Sequence, residues 1–382
     1  MIYLNTNSTT KPSKQVLKDF MWCAENVWAN PSDISTDGMK AKQIIRQAQE
    51  QIAKYIGAKS EEIVFTSGAS ESNNWAIRGM LWGYPDISDI ITTEIEHPSV
   101  YNVCTYLGYR GYDLHFAPIN STGKVDIQKL KLLMSEKQIF RPLVSVMMAN
   151  NEIGTINDIK KISELVRDCH GFLHVDAVQA FGNMPIDVNE LGIDLMSVSF
   201  HKFGGLKNCG FLYIKEGLNV VPLIHGGNQF DGRRAGTENV PAIYALGNKV
   251  ERMNINNVNE SLKTVRDYLY IGITEELNDL CNVRLNGASL DKRLCNNLSL
   301  TFEGINAEAL ITLLDEKGMC VSAGSACSAG EKKPSRVLKA IGLSDEASFS
   351  TVRISVGEDT TFDDCDEFVK ALVECIKILR MI

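Results

Sequence analysis

Three short stretches of this chain combine residue types that can do chemistry. FTSGASESNNWAIRG (65–79) passes from an apolar run through small residues into a helix start. Its first backbone N–H groups, with the hydroxyls of Ser67, Ser70 and Ser72, either hold a phosphate or form an ordinary N-cap turn. The GxxxxGK[ST] of a P-loop is absent. In HVDAVQA (174–180), Asp176 closes an apolar run with Gln179 three residues on. That carboxylate either caps the following helix or keeps a pyridinium nitrogen protonated. In SVSFHKFGG (197–205), Lys202 follows an apolar run among Ser199, His201 and two glycines. It is either a solvated surface charge or an amine placed to form a Schiff base. A phosphate turn, an aspartate and then, 26 residues later, a lysine is the order a pyridoxal phosphate site requires. The conjunction is far more specific than any one member.

A fourth stretch, SAGSACSAG (322–330), sets Cys327 among residues no larger than serine. Gly, Ala and Ser cannot anchor a core, so the segment reads as a loop with its thiol on display. The other nine cysteines form no CxxC pair and do not cluster with histidine. This excludes a disulfide framework and a zinc site, and no metal is expected. Most of them read as small buried hydrophobes in a reducing compartment.

The elements that must position these residues follow from periodicity. Strand-like runs occur at 61–67, 89–94, 142–150, 171–177, 194–200 and 210–215, with helical periodicity at 40–57 and 159–170. Strands alternating with helices predict an α/β fold whose mostly parallel sheet is covered on both faces, with ligands at the carboxyl ends of its strands. Beyond residue 250 the texture changes to one long polar helix over 251–280, strands at 296–302 and 351–357, and helices at 307–318 and 334–342. This predicts a large cofactor domain over 15–255. A smaller α+β domain takes residues 1–14 and 256–382 and carries the cysteine loop at 321–333.

At 382 residues, 44% apolar and 23% charged, the chain is long enough to bury an active site in a globular fold. Its net charge of −8 and lack of a long basic run argue against nucleic acid. MIYLNTNSTTKPSK carries no charged-then-apolar signal, and no apolar run approaches the ~20 residues that span a bilayer, so a cytoplasmic location without membrane contact is expected.

The stretches HVDAVQAFGNMPIDVNELGIDLMSVSFHK, HGGNQFDGRRAGTENVPAI (225–243) and VSAGSACSAG (321–330) together resemble the cysteine desulfurases of the NifS/IscS type. These belong to the class V aminotransferase group of fold-type I pyridoxal phosphate enzymes. The likeness runs from IYLNTNSTT to VRISVG, almost the whole chain. It implies a seven-stranded sheet in the large domain and conversion of L-cysteine to L-alanine. Lys202 then binds the cofactor through its amine and moves protons, Asp176 pairs with the pyridinium nitrogen, Gln179 meets the ring hydroxyl, and His97, in TEIEHPSV, stacks on the ring. Ala69, Ser70, Ser199 and His201 hold the phosphate. Thr237, in RRAGTENV, reaches the phosphate of a neighbouring subunit, which implies a homodimer. Asn151, in MMANNEIGT, contacts the cofactor hydroxyl or the substrate carboxylate, and Arg353, in STVRISVG, clamps that carboxylate. Cys327 takes the sulfur as a persulfide and passes it to an acceptor protein, for iron–sulfur cluster assembly or tRNA thiolation. A selenocysteine or cystine lyase of the same group is the nearest alternative, and a non-catalytic sulfur-carrier subunit a more distant one.

The chain departs from the family pattern in places. YLDNAATT becomes YLNTNSTT, changing residues 5–8 beside the substrate, and Ser35 stands where histidine is usual. GGNQFDG brings Asn228 and Phe230 to the neighbourhood of the partner's site, and GLKNCG replaces GPKG after Lys202. The chain stops at KILRMI, without the long tail that meets an iron–sulfur scaffold, so a dedicated role with another acceptor is expected.

Overall fold

The computed structural model describes residues 1–323 and 333–381. In chain order the strands are β1 (Ile2–Tyr3), β2 (Ile63–Thr66), β3 (Asp89–Thr92), β4 (Asp113–Phe116), β5 (Leu143–Met147), β6 (Phe172–Asp176), β7 (Leu195–Ser199), β8 (Gly210–Ile214), β9 (Val283–Leu285), β10 (Asn297–Phe302), β11 (Met319–Cys320) and β12 (Thr351–Ser355). Seven of them form one sheet in the order β2-β8-β7-β6-β5-β3-β4. All run parallel except β8, which is antiparallel to both β7 and β2.

Strands β5, β6 and β7 are buried along almost their whole length because helices cover both of their faces. The pleat sorts alternate residues. Ile63, Phe65, Val144, Val146, Met196 and Val198 enter a core shared with the helices Thr36–Ile56, Ile159–Asp168 and Val240–Glu251. Val64, Leu143, Leu195 and Leu212 enter the opposite core, against the helices Ala69–Gly83 and Pro98–Tyr109. The edge strand β4, which periodicity did not mark, is only four residues long and none of them is fully buried.

A second core gathers around the antiparallel sheet β12-β10-β9 and the helices Ile255–Leu277, Ala307–Glu316 and Phe362–Arg380. The long polar helix expected over 251–280 is interrupted. One helix ends at Glu251, and Asn254 caps the next by accepting from the Asn257 N–H, the competition asparagine offers to a continuous helix. Ile2 and Leu4 belong to this second core, since β1 pairs with β11 and Asn5 bridges to Ser355. The chain then crosses to the large sheet, where Thr10 N–H donates to the His201 carbonyl at 2.9 Å and Ser13 N–H to the Gly204 carbonyl at 3.0 Å. Residues 5–8 therefore span the gap between the two cores. Among the described residues, no helix is long and apolar enough to cross a membrane.

Candidate active site

The carboxyl ends of β2, β3, β5, β6 and β7 deliver the phosphate turn, His97, Asn151, Asp176 and Lys202 to one edge of the sheet. Parallel strands place their following loops together, so residues far apart in sequence meet there. The phosphate turn meets Ser199 through a glycine. Gly210 of β8 lies opposite both Thr66 and Ser199, and a Cβ on it would come within 2.4 Å of the Val198 carbonyl and 2.9 Å of the Gly68 Cα. Gly68 itself sits at φ 138°, and a Cβ there would stand 3.4 Å from Ser199 Oγ. It caps the helix Ala69–Gly83 without a side-chain acceptor. The first-turn N–H groups of Ala69 and Ser70 thus face a cradle with the polarity an anion needs. Glu71 turns away from it, accepting from Ser67 N–H at 2.8 Å and bidentately from Arg234 at 2.8 and 3.1 Å.

Asp176 is buried with its carboxylate held on both sides. Asn73 Nδ2 donates to Oδ2 at 2.8 Å and Val178 N–H to Oδ1 at 3.0 Å. The carboxylate thus caps the turn that follows β6 and also faces the site. Asn73 Nδ2 also donates to Ser99 Oγ at 2.8 Å, and Ser99 Oγ lies 2.8 Å from His97 Nδ1. Asn73 and Ser99 lie on two different helices, Ala69–Gly83 and Pro98–Tyr109, and carry no motif that would mark them in the sequence. Burial pushes the His97 pKa down, helped by the nearby Lys202 and Arg336 cations, while Asp176 opposes. His201 behaves alike: burial with the Lys202 and Lys207 charges lowers it to about 4, and its Nδ1 lies 3.0 Å from Thr9 Oγ1.

Lys202 Nζ donates to the carbonyls of Asn7 at 2.7 Å and Ser8 at 2.9 Å. The Asn7 carbonyl also accepts from Gln179 Nε2 at 3.0 Å. Arg353, in the middle of β12 and only 3% exposed, reaches the same stretch. Its Nη2 donates to Asn5 Oδ1 at 2.8 Å and Ser8 Oγ at 2.5 Å, and its Nη1 to the Asn151 carbonyl at 2.9 Å. The altered residues 5–8 therefore contact both the lysine and the arginine, which their spacing in the sequence did not foretell.

Two buried acids complete the surroundings. Glu96 accepts from Thr93 Oγ1 at 2.7 Å, and burial pushes its pKa up to about 8. Glu152 accepts from Ser335 Oγ at 2.6 Å, and burial raises it too. Arg336 donates to the carbonyls of Glu94 and Glu96 and lies 3.6 Å over the Tyr101 ring. Thr237 is exposed, on the segment that Arg234 ties to Glu71. Cys327 lies outside the described residues. Among those described are nine free cysteines, seven of them buried, as the sequence led us to expect for most.

The class-V aminotransferase family matches residues 2–368 of this chain. The chain belongs to that family, in its NifS/IscS group of cysteine desulfurases. It is 40% identical to the cysteine desulfurase IscS of Methanosarcina thermophila over 99% of this chain and 93% of that protein. With the cysteine desulfurase IscS of Clostridium botulinum (strain Hall) the identity is 39%, over 99% and 95%. A solved NifS-like protein superposes with a TM-score of 0.90 at 31% identity, covering 99% of this chain and all of that one. The structure of SspA in complex with cysteine does so at 0.80 and 34%, covering 93% and 99%. Enzymes of this family use pyridoxal phosphate, and the residues present fit it. A glycine-lined cradle at a helix N-terminus suits the phosphate, a buried carboxylate suits the ring nitrogen, and a lysine amine lies on the neighbouring strand end.

Proposed function

We propose that this chain converts L-cysteine to L-alanine and takes the sulfur as a persulfide on Cys327 for delivery to an acceptor protein. The observation that carries the reading is that residues 5–8 join Lys202 and Gln179, at the strand ends that also hold the buried Asp176, to Arg353 of the second core. Pyridoxal phosphate, when bound, supplies an electron sink for the carbanion formed at the substrate Cα. Ala69, Ser70, Ser199 and His201 would hold its phosphate, Asp176 its ring nitrogen and Gln179 its ring hydroxyl, with His97 against the ring. Asn151 would contact that hydroxyl or the substrate carboxylate. Lys202 would bind the cofactor through its amine and carry the proton to and from Cα. Arg353 presents a planar fork that matches the substrate carboxylate.

The Cys327 thiolate attacks the substrate sulfur: the new S–S bond takes up the sulfur while the C–S bond breaks, and its electron pair returns to the carbon that becomes alanine's methyl group. We also assign residues 15–255 to a cofactor domain and 1–14 with 256–382 to a smaller domain. A homodimer accords with the exposed Thr237 and with the bare apolar side chains of Trp28 and Ile34, 81% and 92% exposed, which a second copy would cover. The test is the purified protein's visible absorption, expected to bleach with borohydride and to be absent in Lys202→Ala, together with alanine and sulfide formed from L-cysteine. Cys327→Ser should abolish sulfide release under a thiol reductant. Full activity in that variant would remove the persulfide step.

A further inference from the structure

Two guanidiniums away from the strand-end site are buried together in the second core. Arg266, on the helix Ile255–Leu277, is wholly buried, and Arg293, between β9 and β10, is 4% exposed. Arg266 Nη1 donates to the Leu294 carbonyl at 2.9 Å, one residue from Arg293, and its charge bears on Arg293 directly. Tyr270, one turn further along the same helix face, also acts on Arg293.

The two cations are compensated unequally. Asp267 Oδ1 accepts from Arg266 Nε at 2.7 Å and lies 2.5 Å from its Nη2, so that charge is paired. Arg293 donates to neutral carbonyls, through Nε to Ala288 at 2.8 Å and through Nη2 to Asn286 at 2.5 Å. Among the described residues no carboxylate pairs with it, and its buried Nη1 has no hydrogen-bond partner. Burial and the Arg266 cation bring its pKa down to about 9, which still leaves it charged at neutral pH. A desolvated cation without a counter-charge is among the costliest groups a fold can bury. One unit of positive charge is left over in a place closed to solvent. Whatever neutralises it must carry a single negative charge and be small enough to be enclosed.

We infer that Arg293, with Arg266 beside it, binds a small monovalent anion of the halide class at its unpartnered Nη1. The site stands behind the joint between the two cores. Arg293 bridges to Thr155, the Leu294 N–H donates to the Gly154 carbonyl at 2.9 Å, and Asn296 Nδ2 donates to Asn7 Oδ1 at 3.1 Å. A bound anion thus fastens residues 286–296 against the loop that carries Asn151 and the stretch that holds Lys202.

The test unfolds the holoenzyme thermally at constant ionic strength while sodium gluconate, whose anion is too large for an enclosed site, is exchanged for sodium chloride or bromide. The wild-type midpoint should rise by about 2 °C or more at about 0.5 M halide, the linkage expected of a ligand that binds the folded chain alone. Arg293→Met replaces the guanidinium with an apolar side chain, and its midpoint should move with halide by less than about 0.5 °C. A rise of equal size in both proteins would assign the effect to salt in general and overturn the site, as would a flat wild-type profile. Crystals of the wild-type protein grown in bromide supply a measurement that does not depend on the variant folding. An anomalous peak in contact with Arg293 Nη1 is expected there, and a water or no density at that position overturns the site.

Discussion

Glu96 precedes His97 and is buried to 1% exposure, with Thr93 Oγ1 donating to it and the Asp176 carboxylate near enough to oppose its ionisation. Its folded pKa of about 8 lies above the ordinary carboxylate value, so the folded state holds a proton that the unfolded chain releases above about pH 4.5. Stability from this group is full below that value and is lost as pH rises toward 8. Glu96→Gln keeps the shape and removes the titration. The variant should match wild type in urea denaturation at pH 5 and exceed it at pH 8.5 by a few kcal/mol, on the order that such a shift implies. Equal midpoints at both pH values would show that Glu96 ionises freely.

At the scale of elements, the phosphate cradle depends on β8 carrying no side chain where it passes between β2 and β7. Gly210→Ala would push a methyl group into the Val198 carbonyl and the Gly68 backbone, neither of which is the end of a flexible side chain. The expected cost is about 2–4 kcal/mol of stability, with a parallel loss of cofactor retention measured as the visible absorbance surviving gel filtration. Gly210→Ala with unchanged stability and absorbance would mean that β2 and β8 can part without harm. These strand ends are also where the sequence was most legible. Lys202, Asp176 and Ser199 each close an apolar run, so strand and site residue were read from the same stretch. Asn73, Ser99 and Glu96 could not be read that way, because their importance comes from which strand end lies beside which. Asn73 meets Asp176 from 103 residues away. The edge strands β4 and β9 were missed because four and three residues are too short, and too little buried, for an alternation to stand out.

For the molecule as a whole, acid should act through histidines that folding keeps neutral. His174 lies fully buried between Ser145 Oγ at 2.8 Å and Ser197 Oγ at 2.9 Å, with its pKa lowered to about 3 by burial. His201 is lowered to about 4. Because the unfolded chain takes these protons near pH 6.5 and the folded chain does not, stability is lost as pH falls from 6.5 toward 4. Glu96 and Glu152, both raised by burial, work in the opposite sense over part of that range, so the measurement belongs in the Glu96→Gln, Glu152→Gln background. There the unfolding free energy should drop by about 2 kcal/mol between pH 7 and 5.5, from two histidines each binding one proton on unfolding. A flat profile would place the folded pKa values of both rings near their ordinary range. The change of texture near residue 250 falls close to where the chain enters the helices and strands that gather around β10. The crossing of residues 1–10 from one core to the other was not legible, because nothing in IYLNTNSTT names Ser355 or His201 as its neighbours.

That crossing also sets an order of events during synthesis. Ser8 and Arg353, in hydrogen-bond contact in the finished protein, are separated by 345 residues, and β1 finds its partner only in β11. A chain emerging from the ribosome N-terminus first can assemble the large sheet while its opening residues still lack the surface they will cover. The floor beneath the Lys202 amine is laid only when the second core folds. The earliest residues made are among the last to settle, so a nascent chain could present its lysine before the apparatus that restrains it exists.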